Sequence, residues 1–278
     1  MKKILSILCT LSLAFSMTGS FAANSAEREH TQEGGYFTED QDGYPVYVHT
    51  DGGRYEYYLD PAANTVSLTF KTTTNDSITV PSTVDGHAVT SLDGYGGNSM
   101  SLRELTVPGS VEIIDNFGSY DNLESLTLNG VKNIARDSFA SCESLKNVTL
   151  NEGVITLSRS CFSNIPAKDI TIPSSVQTID EYAFNRSALE SVTFKGTPNF
   201  IGESAFNAEN LAEVNGLSED AIIKFWMSFK NTPWQTSLSN DQEPFLIDNS
   251  GKLVAYIGSE TDVEIPDTVK TIGENAFA

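Results

Sequence analysis

The chain has 278 residues, with 37 acidic against 17 basic side chains and a formal charge of −20 at pH 7. A surface that acidic repels nucleic-acid phosphates and anionic headgroups, which excludes nucleic acid as a partner and favours solubility outside the cell or attraction to basic partners. Three cysteines are too few for a fold built on disulfides.

Lys2 and Lys3 precede a mostly apolar run from Ile4 to Phe15, and small residues follow at Ser20 and Ala22. This reads as a secretory signal peptide over residues 1–22. The run is shorter than the roughly 20 residues a membrane-spanning helix needs. Cys9 comes too early, and after Leu8 rather than a small residue, to be a lipidated cysteine. Removing the two lysines moves the charge from −20 to −22. No second apolar segment of spanning length follows. The mature chain is therefore expected to be secreted or at the cell surface, without integral membrane association.

Residues 23–34 are polar and aperiodic, as in a linker. Residues 35–76 read as a small N-terminal β cap. Tyr44–His49, Tyr55–Leu59 and Thr65–Phe70 alternate apolar with polar residues, separated by turns at Asp51-Gly52-Gly53 and Asp60-Pro61. Such a cap would cover the first apolar end of a stacked array.

Residues 77–216 carry one phrase over and over, with a period of 22 residues. A fixed period in the range of about 20 to 50 residues marks a solenoid. An irregular first coil holds Ile78-Thr79-Val80-Pro81, Val84, Val89 and Leu92. Regular coils open at Leu102, Leu123, Leu145, Ala167 and Leu189, with a degenerate one at Leu211. Each contains an alternating strand such as Leu126-Thr127-Leu128 or Ile170-Thr171-Ile172. Val111, Val131, Val154 and Val176 then stand three residues before Ile114, Ile134, Leu157 and Ile179, where a second short strand fits. Phe139, Phe162 and Phe184 follow five residues after the last three of these. Phe117 sits off that spacing, so its coil is expected to be distorted. Cys161 takes the slot of Ala183 and Ala205, which suits a buried small residue. A disulfide between Cys142 and Cys161 stays open.

Residues 217–258 break the phrase with a helix and a β-hairpin. Ser218 caps a helix whose apolar stripe is Ala221, Ile222, Phe225, Trp226 and Phe229, ended by Asn231-Thr232-Pro233. Phe245–Ile247 and Leu253–Ile257 make the hairpin. Over residues 259–278 the phrase resumes as Val263-Glu264-Ile265-Pro266, Val269, Ile272 and Phe277. Ending in mid-phrase, the array is expected either to continue or to be covered by a partner. The chain is thus predicted to be mainly β: a solenoid with a small N-terminal β cap and a helix-plus-hairpin interruption near its C-terminal end.

The repeated I-P-x-x-V-x-x-I, at Ile172–Ile179 and Ile265–Ile272, is followed by Ala183-Phe184 and Ala276-Phe277. It resembles the BspA-like leucine-rich repeats of bacterial surface proteins, over roughly Ile78 to Ala278. Thr232-Pro233-Trp234 and the segment Leu253–Gly258 are similar to that family's hairpin between repeat blocks. The resemblance implies a leucine-rich-repeat solenoid. It also implies adhesion, host-protein binding or surface display, and it carries no catalytic motif.

The residues themselves offer little chemistry. His30, His49 and His87 fall in the linker, a cap strand and a turn, without hydrolase or zinc spacing. Asp40-x-Asp42-Gly43 begins like a calcium loop and fails at Tyr44. No catalytic residue, metal ligand or cofactor is expected. What remains is a surface. The outward residues of the first strands form a threonine ladder, Thr106, Thr127, Thr149, Thr171 and Thr193, flanked by Glu104, Ser125, Asn147, Asp169 and Ser191. A stacked row at strand spacing suits an extracellular protein or a glycan, such as a host matrix or mucosal one. Threonine is also simply a good strand residue whose ladder stabilises a sheet. Tyr95, Tyr120, Trp234, Tyr44, Tyr47 and Tyr57 either add stacking contacts to such a face or cover coil ends. The function expected is that of a secreted, non-enzymatic binding protein, adhesin-like. A spacer that presents other domains is the alternative, and an enzyme seated in the cap the least supported one.

Overall fold

The computed structural model describes residues 35–39, 45–94, 101–240 and 242–277. The signal peptide and linker expected over residues 1–34, the Asp40–Asp42 pair, Tyr44 and Tyr95 lie outside them.

The described residues open with four antiparallel strands, β1 (Tyr36–Glu39), β2 (Pro45–Val48), β3 (Arg54–Asp60) and β4 (Thr65–Thr72). β5 (Ser77–Thr79), β6 (Thr83–Val84) and β7 (His87–Asp93) follow. β4 pairs in parallel with β7, placing Val66 opposite Val89 and Leu68 opposite Leu92. The hairpin of the cap thus supplies the rung on which the array is laid.

Each later coil contributes two strands. They are β8 (Glu104–Val107) and β9 (Ile113–Asp115), β10 (Ser125–Leu128) and β11 (Asn133–Ile134), and β12 (Asn147–Leu150) and β13 (Thr156–Leu157). Next come β14 (Asp169–Ile172) and β15 (Thr178–Ile179), β16 (Ser191–Phe194) and β17 (Phe200–Ile201), then β18 (Glu213–Asn215) alone. The second strands continue the cap into one 11-stranded sheet that runs unbroken to β17. The first strands form the opposite wall, and Leu, Ile and Val from both walls fill the space between them. Leu105, Leu126, Ile170 and Val192 on one wall and Ile114, Ile134, Leu157 and Ile179 on the other are all buried. No coil could bury this surface alone; stacking makes the apolar column continuous.

The third side of each coil is a turn around a phenylalanine. Phe117, Phe139, Phe162, Phe184, Phe206 and Phe229 are wholly buried, and their rings stack in one file. Successive centroids are 5.6, 5.5, 5.4, 5.1 and 5.3 Å apart, with interplanar angles of 19° or less. Trp234 closes the file edge-on at 4.9 Å from Phe229, and Tyr120 packs 5.0 Å from Phe117 at the other end. The coil of Phe117, expected to be distorted, delivers its ring to the same file. Its shorter approach is absorbed by Asn116 and Ser119, both in the left-handed region (φ 61° each). Phe139, Phe162 and Phe184 are each flanked two residues away on both sides by left-handed residues, Asp137 and Ser141, Ser160 and Asn164, Tyr182 and Arg186. These bends aim the phenylalanine N–H at the next coil, as from Phe162 to the Ala183 carbonyl (2.8 Å) and from Phe184 to that of Ala205 (2.7 Å).

The two thiols are not paired. Both are buried, Cys161 beside Phe162 and Cys142 with its Sγ 3.2 Å from the Phe117 carbonyl. Burial pushes the Cys142 thiol up to about 12, and raises Cys161 further still.

In the interruption, Ser218 caps α1 (Glu219–Lys224), as the sequence implies. The helix is shorter than its apolar stripe. It passes at Phe225 into a 3-10 turn, Trp226–Phe229, which sets Phe229 on the ring file in place of a regular coil. The helical segment stops at Phe229 and Asn231 is left-handed (φ 63°), so Asn231-Thr232-Pro233 ends it as expected and also begins α2 (Pro233–Ser237): the Thr232 hydroxyl accepts from the Gln235 N–H (3.1 Å) and proline occupies the first turn. The hairpin of β19 (Phe245–Ile247) and β20 (Lys252–Tyr256) then repeats the device of the cap. β20 pairs in parallel with β21 (Thr271–Ile272), Leu253 opposite Ile272, so the hairpin lays the first rung of the resumed phrase.

Asp51, in the turn between β2 and β3, ties the cap to the first coil. Its carboxylate accepts from the Gly53 N–H (3.0 Å) and the Thr79 N–H (2.7 Å) and lies 3.0 Å from His49 Nδ1, while its carbonyl takes the Asn75 amide. Partial burial works against ionisation, yet the contacts with His49, Gly53 and Thr79 outweigh it and hold the carboxyl below its ordinary value of 3.8. A lowered carboxyl contributes stability that is present above its unfolded pKa and lost as pH falls through the folded one. Urea unfolding should therefore find Asp51→Asn less stable than the parent at pH 7, with the gap closing as the pH drops below about 4. Phe162→Ala, at the middle of the ring file, should cost about 3–5 kcal/mol in the same measurement, because neighbours held by backbone bonds on both sides cannot collapse into the space.

Candidate functional site

The first-strand wall presents the predicted ladder in register. Ser125 lies opposite Glu104 and Asn147, and Thr127 opposite Thr106 and Thr149. Asp169 lies opposite Ser191, and Thr171 opposite Thr193. Alternation puts these side chains outward while Leu105, Val107, Leu126 and Leu128 point in. The register also adds members absent from the predicted set. Ser77 and Thr79 pair with Glu104 and Thr106 at one end, and Glu213 and Asn215 with Ser191 and Thr193 at the other. Thr79 was visible in the sequence: Ile78-Thr79-Val80-Pro81 is the phrase Ile170-Thr171-Ile172-Pro173 in an irregular coil.

The structure does not bring all ten predicted residues into one sheet. Glu104, Thr106, Ser125, Thr127, Asn147 and Thr149 share the sheet β5-β8-β10-β12; Asp169, Thr171, Ser191 and Thr193 share the separate sheet β14-β16-β18. β12 and β14 adjoin without pairing. The reason lies in the spacing from each phenylalanine to the next strand. Phe117 to Leu126 and Phe139 to Val148 are nine positions; Phe162 to Ile170, Phe184 to Val192 and Phe206 to Val214 are eight. The wall breaks where the spacing changes. Pro173 adds to this: Asn151 and Lys195, at its place in neighbouring coils, donate to the carbonyls of Leu128 and Ile172, and proline has no N–H to give. At the seam the inward residue Val148 is only half-buried, and Thr149 and Thr171 are the two most open predicted threonines.

Charge runs alongside the ladder in rungs. Arg103 pairs with Glu124, and Lys168 with Glu190 at 2.6 Å, each across adjacent coils. Between them Lys146, next to Glu124 across β10 and β12, makes no ion pair among the described residues. Asn147 Nδ2 donates to Ser125 Oγ (3.1 Å), and Asn151 Nδ2 to Asn129 Oδ1 (2.8 Å). Below the seam the Glu152 carboxylate accepts from the Ser174 N–H and hydroxyl and the Ser175 N–H, all at 3.0 Å. The Ser174 N–H leads in holding that carboxyl below its ordinary value.

The face holds hydroxyls, amides and carboxylates, and its strands contain no histidine or cysteine. Among the described residues no group of three or more His, Cys, Asp or Glu is placed to hold a metal ion. No helix among them is long and apolar enough to cross a membrane. The surface tyrosines and tryptophan divide differently from a stacking platform. Tyr120 is buried and donates its hydroxyl to the Gly94 carbonyl (2.8 Å), Trp234 is buried at the end of the ring file, and Tyr47 is wholly buried in the cap. Tyr57 is half-buried, its ring 4.8 Å from that of Phe37. A second outward row, Ile113, Asn133, Thr156, Thr178 and Phe200, descends the 11-stranded sheet, with exposed apolar residues at its two ends.

Residues 112–232 match the family described as BspA type Leucine rich repeat region, in 6 copies. Among solved structures the chain is similar to a leucine rich repeat protein of T. pallidum. The two are 23% identical, with 59% of this chain and 80% of that one covered and a TM-score of 0.50. It also matches a leucine rich cell surface protein of Faecalibacterium prausnitzii A2-165, at 16% identity, 62% and 76% coverage and a TM-score of 0.27. A third match is the pneumococcal vaccine antigen PcpA, at 14% identity, 88% and 62% coverage and a TM-score of 0.37. No curated protein matches the chain. The first of the three structures supports the fold.

Proposed function

We propose, for a chain whose residues 112–232 are a BspA-type leucine rich repeat region, a non-enzymatic binding role outside the cell, with the threonine ladder as the contact face. The observation that carries this reading is the register of outward side chains on the first-strand wall. On each side of the seam, from Ser77 and Thr79 to Asn147 and Thr149 and from Asp169 and Thr171 to Glu213 and Asn215, two columns of polar groups are fixed by backbone pairing and owe nothing to the partner for their order. A surface organised before binding loses little conformational entropy on association. The hydroxyl column beside a mixed carboxylate, amide and hydroxyl column suits the repeating hydroxyl and amide groups of a glycan or an extended protein segment. The seam between Thr149 and Thr171 interrupts the uniformity of the ladder, which is what specificity for one ligand requires.

The test is binding of the purified chain to a panel of extracellular-matrix proteins and mucosal glycans, at low and at physiological salt. A saturable ligand is expected, and the variant Thr127→Arg/Thr193→Arg should weaken it at least tenfold while its melting temperature stays within a few degrees of the parent. No ligand in the panel, or a ligand indifferent to those two changes, would return the face to a purely structural role and favour a spacer.

A further inference from the structure

Where the regular coils give way to helix, the chain forms a cleft that the ladder does not touch. One wall is Ile201 and Glu203 of the last regular coil with α1 and the 3-10 turn; the other is the tip of the β19–β20 hairpin with Gly273 and Glu274. The space is about 500 Å³, within the range of ligand-sized clefts. Its floor is apolar, made by half-buried Ile223, Met227 and Val254 above buried Ile201 and Trp226.

The charges around this floor fall into two groups. Some are already engaged. The Asp248 carboxylate accepts from the Ser250 N–H (2.8 Å), the Ser250 hydroxyl (2.6 Å) and the Lys252 N–H (3.0 Å). Lys224 Nζ donates to the Asn199 carbonyl (3.1 Å) and sits 4.7 Å from the Phe225 ring centroid. The others are not engaged: Glu203, Asp220 and Glu274 are exposed, and among the described residues none has a side-chain hydrogen bond or ion pair. Against these three carboxylates stands one further cation, Lys252, whose stem lies along Gly273.

We infer that this cleft receives a lysine- or arginine-bearing segment of a partner protein. Such a side chain matches both halves of the site, its aliphatic stem covering Ile223, Met227 and Val254 while its cationic head reaches the unengaged carboxylates at the rim. An adjacent apolar side chain of the same segment fills the rest of the floor. The net negative field of the whole chain draws a basic segment in and repels an acidic one. The site is independent of the ladder, so either can fail without the other.

The experiment uses the full chain and a labelled peptide, acetyl-Gly-Lys-Leu-Lys-Gly-amide, read by fluorescence anisotropy at physiological salt. Saturable binding is expected. The variant Glu203→Gln/Asp220→Asn/Glu274→Gln should weaken it at least tenfold. The variant Glu104→Gln/Asp169→Asn/Glu213→Gln, which removes the same charge from the threonine face, should stay within twofold of the parent. Changing the peptide leucine to serine should weaken binding at least threefold, and a Glu-for-Lys peptide should not bind. The inference is overturned by the absence of saturation, by equal loss in the two triple variants (which would make the attraction one of net charge alone), or by indifference to the leucine. Thermal melts confirm that each variant is folded.

Discussion

Everything in this molecule depends on one constraint, that each coil must return the chain to a position directly beneath its predecessor. The file of phenylalanine rings enforces it. Rings at 5.1–5.6 Å and nearly parallel leave no room for a coil to slide or turn relative to its neighbours. Backbone bonds on the turn side then run forward to the next coil, while those of the strands run back to the previous one, as from Asn133 N–H to the Glu112 carbonyl. Each coil is gripped from both directions. The left-handed conformations at Asp137, Tyr182 and their counterparts are the local cost of that grip, offset by burial of a whole aromatic side chain in each turn.

The period made most of this legible from the sequence. A phrase of fixed length with apolar residues at fixed slots has one economical solution, and Val176, Ile179 and Phe184 sit where their spacing put them. Even the degenerate slot at Pro198 is buried in the place of a valine. What escaped was the ring of Phe117, because spacing along the chain does not reveal how two left-handed residues shorten a turn. Thr232-Pro233 reads as a stop signal and is one, but a capping hydroxyl before proline is equally a start, and here it is both. The ladder was legible as a row but not as two rows. The clue to the seam was one residue fewer between Phe162 and Ile170 than between Phe139 and Val148, a small irregularity that the even 22-residue spacing of Val148, Ile170, Val192 and Val214 conceals. The acidic cleft was out of reach, since it joins Glu203 and Glu274, the same repeat position in two coils far apart in the chain, with Asp220 of the interrupting helix.

The two hairpins show how such an array begins. An antiparallel pair needs no template, so β3 with β4, and β19 with β20, form from local turns whose first residue is an aspartate: Asp60 accepts from the Ala62 and Ala63 N–H groups, Asp248 from those of Ser250 and Lys252. The outer strand then offers a parallel edge to the next coil, β7 in one case and β21 in the other. The interruption is therefore a second beginning, and the cleft is the junction between the end of one run of coils and the start of another.

The seam between β12 and β14 has a mechanical meaning. On one wall the second strands are bonded without interruption from β7 to β17; on the other the backbone ladder stops between coils three and four. Flexing the array so as to widen that wall at the seam stretches no backbone hydrogen bond there, whereas flexing it at any other coil must. The solenoid behaves as a stiff beam with one compliant joint, and the joint opens in a single direction, toward the face that carries the threonines.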